Sequence, residues 1–286
     1  MKISSLRPKS TISNLLVVTL LLATICSCTS TRQSKPSRFI IAAHTYYTLR
    51  YGDLFFEYTD AISKEEGIDA VFFLGDHVCV NNQNEWDKFF KGVSTIQASK
   101  YYSPGNHDIY KFPYIEKNAT VEPYERWKQE YISRIGYDYK VFSDDNANFI
   151  LINSNDPIEK IGAFFKEIDS TLENGKLNIL MTHHHIWDHY LQTSWKNWYF
   201  KRFNWQQIKP YLNKIDHIIA GDAWNNTPST IDLDDGKKGY RVGIGGPGYP
   251  IYYAIVEVNG QNIDYEIKTL DLPEDHIYYE DAKRKW

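Results

Sequence analysis

Short apolar runs alternate along the chain with longer segments whose apolar residues recur at helical spacing. Phe39-Ile-Ile-Ala-Ala43 and Ala70-Val-Phe-Phe-Leu74 are typical of buried strands, and the stretch from Asp53 to Glu66 between them has the spacing of an amphipathic helix that ends at Gly67. Alternation of strands and helices is typical of a layered α/β fold. The pattern therefore predicts an α/β protein.

The same reasoning locates the remaining elements. Further helices are predicted over 86–96, 121–135, 161–172 and 191–212, and further strands over 101–103, 140–142, 149–153, 177–182, 217–220, 240–244, 251–258 and 263–269. Asn259-Gly260 is a typical hairpin turn between the last two strands. No linker-like composition interrupts this pattern, so we predict a single domain over 38–286.

The N-terminal segment has the pattern of a bacterial lipoprotein signal. Lys2, Arg7 and Lys9 precede a short apolar region, and the run ends Ile25-Cys26-Ser27-Cys28. Cys28 follows a small residue, whereas Cys26 follows the bulky Ile25. We therefore predict a signal peptide over 1–27, lipidation of Cys28, a tether over 28–37, and anchorage to the cell envelope. The alternative is an ordinary cleaved signal peptide with incidental cysteines.

The net charge argues against nucleic acid as a binding partner, and the cysteine content argues against disulfide bonds. The 286 residues carry a net charge of −4, so there is no basic excess to bind a phosphate backbone, and we expect no nucleic-acid partner. Cys79 is the sole cysteine beyond Cys28, so the domain contains no intrachain disulfide.

Polar residues gather where the predicted strands end. Five strands lead into His44, Gly75-Asp76-His77, Gly105-Asn106-His107-Asp108, His183-His184-His185 and Gly221-Asp222. In open α/β sheets, ligands bind at the carboxyl ends of strands. Carboxylate, amide and imidazole groups there suit a divalent transition metal.

These motifs resemble the calcineurin-like metallophosphoesterases over roughly residues 38–258. The family motifs are Asp-x-His, Gly-Asp, Gly-Asn-His-Asp/Glu, a strand ending in His, and Gly-His-x-His. The resemblance implies a four-layer αββα sandwich of two mixed β-sheets flanked by helices. It also implies two metal ions that activate a water nucleophile, with a histidine that stabilises or protonates the leaving oxygen.

Three motifs match the family. The resemblance implies that Asp76 is the metal-bridging carboxylate, that Asn106 and His183 are metal ligands, that His107 is the catalytic imidazole, and that Asp108 orients it. His184 continues a common family pattern.

Two motifs depart from it. His44-Thr45-Tyr46 stands for Asp-x-His, and Gly221-Asp222-Ala223-Trp224 stands for Gly-His-x-His. An indole cannot bind a metal, and a tyrosine binds one only as phenolate. The first metal site thus looks dismantled. We predict one ion per chain, Mn, Fe or Zn, on Asp76, Asn106, His183 and Asp222.

For several site residues the sequence leaves a second role open. Asp222 would lie in a plain turn if it is not a ligand, and His44 would bind metal, donate to substrate or simply pack. We predict that His44, Tyr46, His184 and Trp187 are candidate substrate or metal contacts. Two functions fit: a phosphatase or phosphodiesterase acting on a small-molecule or glycan phosphoester, or an inactive module that binds a phosphorylated or polysaccharide ligand.

Overall fold

The computed structural model describes residues 35–51, 53–110, 121–172, 175–187, 205–222, 228–233, 236–242, 251–270 and 272. Within these ranges, two mixed sheets pack face to face and helices cover their outer faces. This arrangement confirms the predicted α/β fold with two mixed sheets flanked by helices.

The first sheet has five strands in the order β11-β10-β1-β2-β3. Three neighbouring strands, β1 (Ser37–Ala42), β2 (Ala70–Leu74) and β3 (Ser99–Ser103), are parallel. The hairpin of β10 (Ile251–Asn259) and β11 (Asn262–Leu270) adds antiparallel to β1. Because β1, β2 and β3 run the same way, their carboxyl ends meet at one edge.

The second sheet has six strands in the order β4-β5-β6-β7-β9-β8. The strands β5 (Ala147–Leu151), β6 (Leu177–Thr182), β7 (His217–Ala220) and β9 (Lys238–Arg241) are parallel. Two antiparallel edge strands complete it, β4 (Lys140–Ser143) and β8 (Ser229–Asp232).

Helices lie between these strands in the chain. They are α1 (Tyr46–Leu49), α2 (Leu54–Ser63), α3 (Gln83–Val93), α4 (Asn106–Ile109), α5 (Val121–Ile135), α6 (Ile158–Ile168) and α7 (Trp205–Ile208), the last followed by a 3-10 turn at Lys209–Tyr211. Asn82 caps α3, since its side chain accepts the backbone N–H of Glu85.

The four layers follow from side-chain alternation along the strands. In β1, Phe39 and Ile41 face the second sheet, whereas Ile40 and Ala42 face the layer of α2, α3 and α5. Phe39 meets Phe149 of the second sheet edge to face, with ring centroids 5.2 Å apart. The outer face of the second sheet packs against α6 and α7.

The predicted helix over 191–212 falls largely outside the described residues, which place helix at Trp205–Ile208. The predicted signal peptide and Cys28 also fall outside them. Strand β8 was not predicted, because its four residues are largely exposed and carry no buried apolar run. Among the residues described, no helix combines the length and apolar character needed to cross a bilayer.

Candidate functional site

Loops after the parallel strands of both sheets bring the predicted polar residues together. His44 follows β1, Asp76 follows β2, His183 follows β6 and Asp222 follows β7. Backbone hydrogen bonds join these loops, from the N–H of His44 to the carbonyl of Gly75 at 3.0 Å and from Asp222 to His183 at 2.8 Å. Nδ1 of His183, after β6, lies 3.0 Å from the carbonyl oxygen of Leu74 in β2, so the two sheets contribute to one site.

Two residues of the site have left-handed backbone conformations. His44 has φ 58° and Asp76 has φ 52°, and these are the only non-glycine residues with positive φ among those described. Such conformations are unfavourable for side chains with a Cβ atom and concentrate at functional sites. The fold thus holds two candidate ligands, His44 and Asp76, in strained backbone conformations.

Three side chains form a group that suits a metal ion. One ligand atom from each of His44, His183 and Asp222 lies within 4.8 Å of the others. Asp76 is adjacent, with Oδ2 at 2.9 Å from Nε2 of His44 and Oδ1 at 3.5 Å from Nε2 of His183. We call these four residues the ligand cluster. Its two carboxylates and two imidazoles fit a divalent transition metal.

His183 is held in a fixed orientation. Its Nδ1 donates to the carbonyl of Leu74 at 3.0 Å, which leaves Nε2 to face the cluster. A bond of this kind selects the tautomer of a metal-binding histidine. Nε2 also lies 3.2 Å from Oδ1 of Asn106, so the predicted amide ligand is beside the cluster. A Cβ on Gly75 would lie 2.4 Å from Nδ1 of His183, so this close approach requires glycine.

Carboxylates and imidazoles in the ligand cluster shift one another's pKa values. Burial alone would raise the pKa of Asp76, but the imidazoles of His183, His107 and His44 hold it well below its ordinary value. The pKa of Asp222 is likewise lowered, since His183 and His44 outweigh its burial. Burial would lower the pKa of His183, whereas Asp76 and Asp222 raise it. The carboxylates are therefore ionised at neutral pH and able to bind a cation.

His107 stands next to the cluster at the start of α4. Its backbone N–H donates to Oδ1 of Asp76 at 2.9 Å, and its Nδ1 is 2.9 Å from the carbonyl oxygen of Cys79. Burial would lower its pKa, but Asp76 and the Cys79 carbonyl raise it to about 9. His107 is thus an imidazolium at neutral pH and has a proton to donate.

Asp108 has different partners from those predicted. Its Oδ1 accepts the N–H of His77 at 2.7 Å, and its Oδ2 accepts the N–H of Gly105 at 2.7 Å. Oδ2 also lies 2.8 Å from Nδ1 of His77. The buried Asp108 therefore joins the loops after β2 and β3. The contact at Nδ1 of His107 comes from Cys79, so we correct the role of Asp108 from orienting His107 to holding these loops.

The remaining candidate contacts have distinct surroundings. Tyr46 is buried and its ring stacks on His107, with centroids 4.6 Å apart. His184 is buried, its Nδ1 lies 2.8 Å from Oγ of Ser154, and burial together with His183 lowers its pKa to about 3. Trp187 is 8% exposed and packs in the apolar layer outside the second sheet. Its predicted substrate contact gains no support from this position. Trp224 lies outside the described residues.

Sequence reasoning missed the contributions of Cys79 and Ser154. The Cys79 contact to His107 is made by a backbone carbonyl, which no residue pattern reveals. Ser154 follows β5, so the rule that polar residues gather at strand ends would have found it.

Two facing sheets with oxygen and nitrogen donors at the ends of their parallel strands define a metallophosphoesterase-type fold. Residues 50–223 match the family of calcineurin-like phosphoesterases. The match spans more than half of the chain, so the chain belongs to this family. A search of curated protein sequences finds no match.

Solved structures share the fold at low sequence identity. Purple acid phosphatase from yellow lupin (Lupinus luteus) seeds is 14% identical with a TM-score of 0.57, and the alignment covers 83% of this chain and 52% of the lupin chain. This chain thus spans about half the length of that enzyme. GAP50 of Plasmodium, described as an anchor in the inner membrane complex, is 12% identical with a TM-score of 0.49, covering 82% of this chain and 85% of its own. A putative 5'-nucleotidase from Staphylococcus aureus is 12% identical with a TM-score of 0.48, covering 88% and 59%. The lupin likeness supports the fold alone.

Proposed function

We propose that this protein is a metal-dependent phosphatase or phosphodiesterase with a single-ion site. The observation that carries the proposal is that the backbone N–H of His107 donates to Oδ1 of Asp76, a member of the ligand cluster, with nitrogen and oxygen 2.9 Å apart. This backbone contact places His107, whose side chain is the proton donor, next to the metal-binding donors. A metal ion and a proton donor are two functions that promote the hydrolysis of a phosphoester.

The ion would be held by the ligand cluster of His44, Asp76, His183 and Asp222, with Asn106 beside it. This set differs from the predicted one by including His44, which the sequence motifs assigned to the dismantled site. The difference matters because His44 faces Asp222 at 3.7 Å as well as Asp76 at 2.9 Å. A second ion would compete for these same donors, which favours one ion.

A bound divalent ion would supply Lewis-acid chemistry, polarising the phosphoryl group and lowering the pKa of water. The residues of the chain supply the proton and hold its donor in position. Nδ1 of His107 is engaged with the Cys79 carbonyl, so Nε2 is the nitrogen that gives its proton to the leaving oxygen. Asp76 fixes the backbone of His107, and Tyr46 stacks on its ring, so the proton donor is held in place before substrate binds.

Metal content and turnover test the proposal together. The protein loaded with Mn²⁺, Fe²⁺ or Zn²⁺ should bind one ion per chain by elemental analysis, and His183→Ala should lose it. His217→Gln, at the opposite end of a parallel strand of the same sheet, is the matched control and should keep the ion. His107→Ala should keep the ion but hydrolyse an aryl phosphate about a hundredfold more slowly, as is typical for loss of a general acid.

The outcomes separate the alternatives. Two fully occupied ions would show that the single-ion site is wrong. No ion at saturating metal would favour the inactive binding module. Turnover that is indifferent to His107→Ala would remove His107 from the mechanism.

We further propose that the substrate is a small-molecule or glycan phosphoester met at the bacterial cell envelope, where a lipid on Cys28 would anchor the protein. Support comes from the N-terminal signal pattern and the absence of a basic excess in the composition. The anchor is tested below, at the scale of the whole molecule.

A further inference from the structure

Strand β11 forms one edge of the first sheet. It pairs with β10 on one side, and among the described residues no strand pairs with its other side. Ile267, in the second half of the strand, is 42% exposed, and no other large hydrophobic residue in the described part of the chain is classed as exposed. A long edge strand that exposes an apolar side chain is suited to pairing with another strand.

The other edge strands do not share these features. Strand β3 has five residues, and the N–H of its Tyr102 already donates to the hydroxyl of Tyr137 at 3.0 Å. Strands β4 and β8 have four residues each, whereas β11 has nine. Of the four described edges, β11 therefore presents the longest row of backbone donors and acceptors.

The hairpin determines which residues of β11 present their backbone groups to the open side. Its turn is two residues long, so the closing pair of Asn259 and Asn262 exchanges both backbone hydrogen bonds. Hydrogen-bonded residues alternate along an antiparallel strand, so the even-numbered residues of β11 bond to β10. The residues that direct their N–H and C=O groups to the open side are Ile263, Tyr265, Ile267 and Thr269.

The charges of β11 are complementary to each other about a two-fold axis through Ile267. Odd-numbered residues must face odd-numbered residues to form hydrogen bonds, so the axis of an antiparallel pair passes through a residue. With the axis at Ile267, each Glu266 faces Lys268 of the other copy. An axis at Glu266 or at Lys268 would place like charges opposite each other, and an axis at Tyr265 would set Asp264 against Glu266. Opposite charges across a strand pair are stabilising, and like charges are destabilising.

We infer that β11 pairs with β11 of a second copy of this chain, antiparallel and centred on Ile267, so that the two five-stranded sheets join into one. This pairing removes Ile267 from water and provides partners for the backbone groups of the open edge. Glu266 and Lys268, which form an ion pair at 2.6 Å within one chain, would also face each other across the axis. No residue of the ligand cluster lies on β11, so the inference does not depend on the proposed function.

Single cysteines in the full chain test both the pairing and its register. Ile267→Cys would face its own copy at a Cα separation of about 5.5 Å, within the range that a disulfide spans. Thr269→Cys directs its side chain to the same face of the sheet, but its two copies would lie about 13 Å apart along the strands, too far for a disulfide. Diamide, which takes up the two thiol hydrogens as the disulfide forms, should therefore crosslink Ile267→Cys and not Thr269→Cys. Wild type, with its native cysteines, gives the background.

Charge exchange tests the pairing without any crosslink. Glu266→Lys and Lys268→Glu should each raise the Kd of the dimer about tenfold, because each places like charges opposite each other at two symmetric positions. The variant that carries both substitutions should regain the wild-type Kd, since opposite charges face each other again. Sedimentation velocity of the full chain in mild detergent, over a range of protein concentrations, would measure these constants.

A wild-type chain that sediments as a monomer at every concentration, with Ile267→Cys not crosslinked above background, would overturn the pairing. Crosslinking of Thr269→Cys as efficient as that of Ile267→Cys would show that the register is wrong. A dimer whose Kd is unchanged by either single charge exchange would contradict the facing of Glu266 and Lys268.

Discussion

At the scale of single residues, the ionisation of His107 decides whether the site can donate a proton. Its pKa is raised to about 9, chiefly because Asp76 outweighs the effect of burial. We predict that histidine NMR of the metal-free protein will show one imidazole titrating near this value. Asp76→Asn should bring it down toward the ordinary value of about 6.5. A value near 6.5 in wild type would contradict this account.

The sign of the effect on stability follows from linkage. A raised pKa in the folded state means that His107 stabilises the metal-free protein fully below pH of about 6.5, and that this contribution is lost as pH rises through about 9. A bound cation would offset the charge of Asp76 and lower the pKa of His107. The NMR titration repeated with Zn²⁺ should therefore show a downward shift.

Residue patterns could predict which side chains gather, because the ends of parallel strands meet at one edge of a sheet. They could not predict that His44 joins His183 and Asp222, since the left-handed backbone at His44 and Asp76 has no signature in residue spacing. They also could not predict that a backbone carbonyl, that of Cys79, contacts His107. The sequence therefore indicates which residues are candidate ligands, but it does not indicate how they are arranged in space.

At the scale of elements, a buried ion pair connects helix α5 to the segment after β5. Nζ of Lys128 lies 3.1 Å from Oδ1 of Asp156, and the hydroxyl of Tyr124 donates to the same oxygen at 2.8 Å. Helix α5 packs on the first sheet, whereas β5 belongs to the second. This pair therefore links the two halves of the sandwich.

We predict that Lys128→Met will strongly destabilise the fold. Lys128 is 1% exposed, so its loss leaves the Asp156 carboxylate buried without its main cation, which typically costs about 3–5 kcal/mol. Urea unfolding would measure the change.

Lys160 provides a matched control on the same carboxylate. Its Nζ lies 3.3 Å from Oδ2 of Asp156, but its side chain is 44% exposed. An exposed pair contributes at most about 1 kcal/mol, so Lys160→Met should lower stability only slightly. Similar losses in the two variants would show that burial of Lys128 does not matter.

Most elements were predictable because their apolar residues are buried in a regular period. Strands β2 and β5, which are buried at every residue, stand out in the sequence for this reason. Strand β8 could not be predicted, because an exposed edge strand needs no apolar residues and pairs only through its backbone with β9. The order of the strands in each sheet also could not be predicted from the sequence. Strand β10, for example, pairs with β1 although more than two hundred residues separate them along the chain.

At the scale of the whole molecule, the proposed anchor would hold the site close to a membrane. Strand β1 begins at Ser37, so the eight residues between Cys28 and this strand can span no more than about 30 Å when fully extended. A short tether of this kind keeps the domain within reach of envelope-bound substrates and limits its diffusion.

Two cysteines that lie two residues apart allow a sharp test of that anchor. Only Cys28 follows a small residue, so Cys28→Ala should abolish incorporation of a labelled fatty acid and release the protein from the membrane fraction, whereas Cys26→Ala should leave both unchanged. Since both substitutions alter the apolar segment equally little, a difference between them reports on lipidation and not on export. Mass spectrometry of the N-terminal peptide would identify the modified residue. Fatty-acid labelling that survives Cys28→Ala, or wild-type protein that is never labelled, would leave the chain with an ordinary cleaved signal and a site that acts free of the membrane.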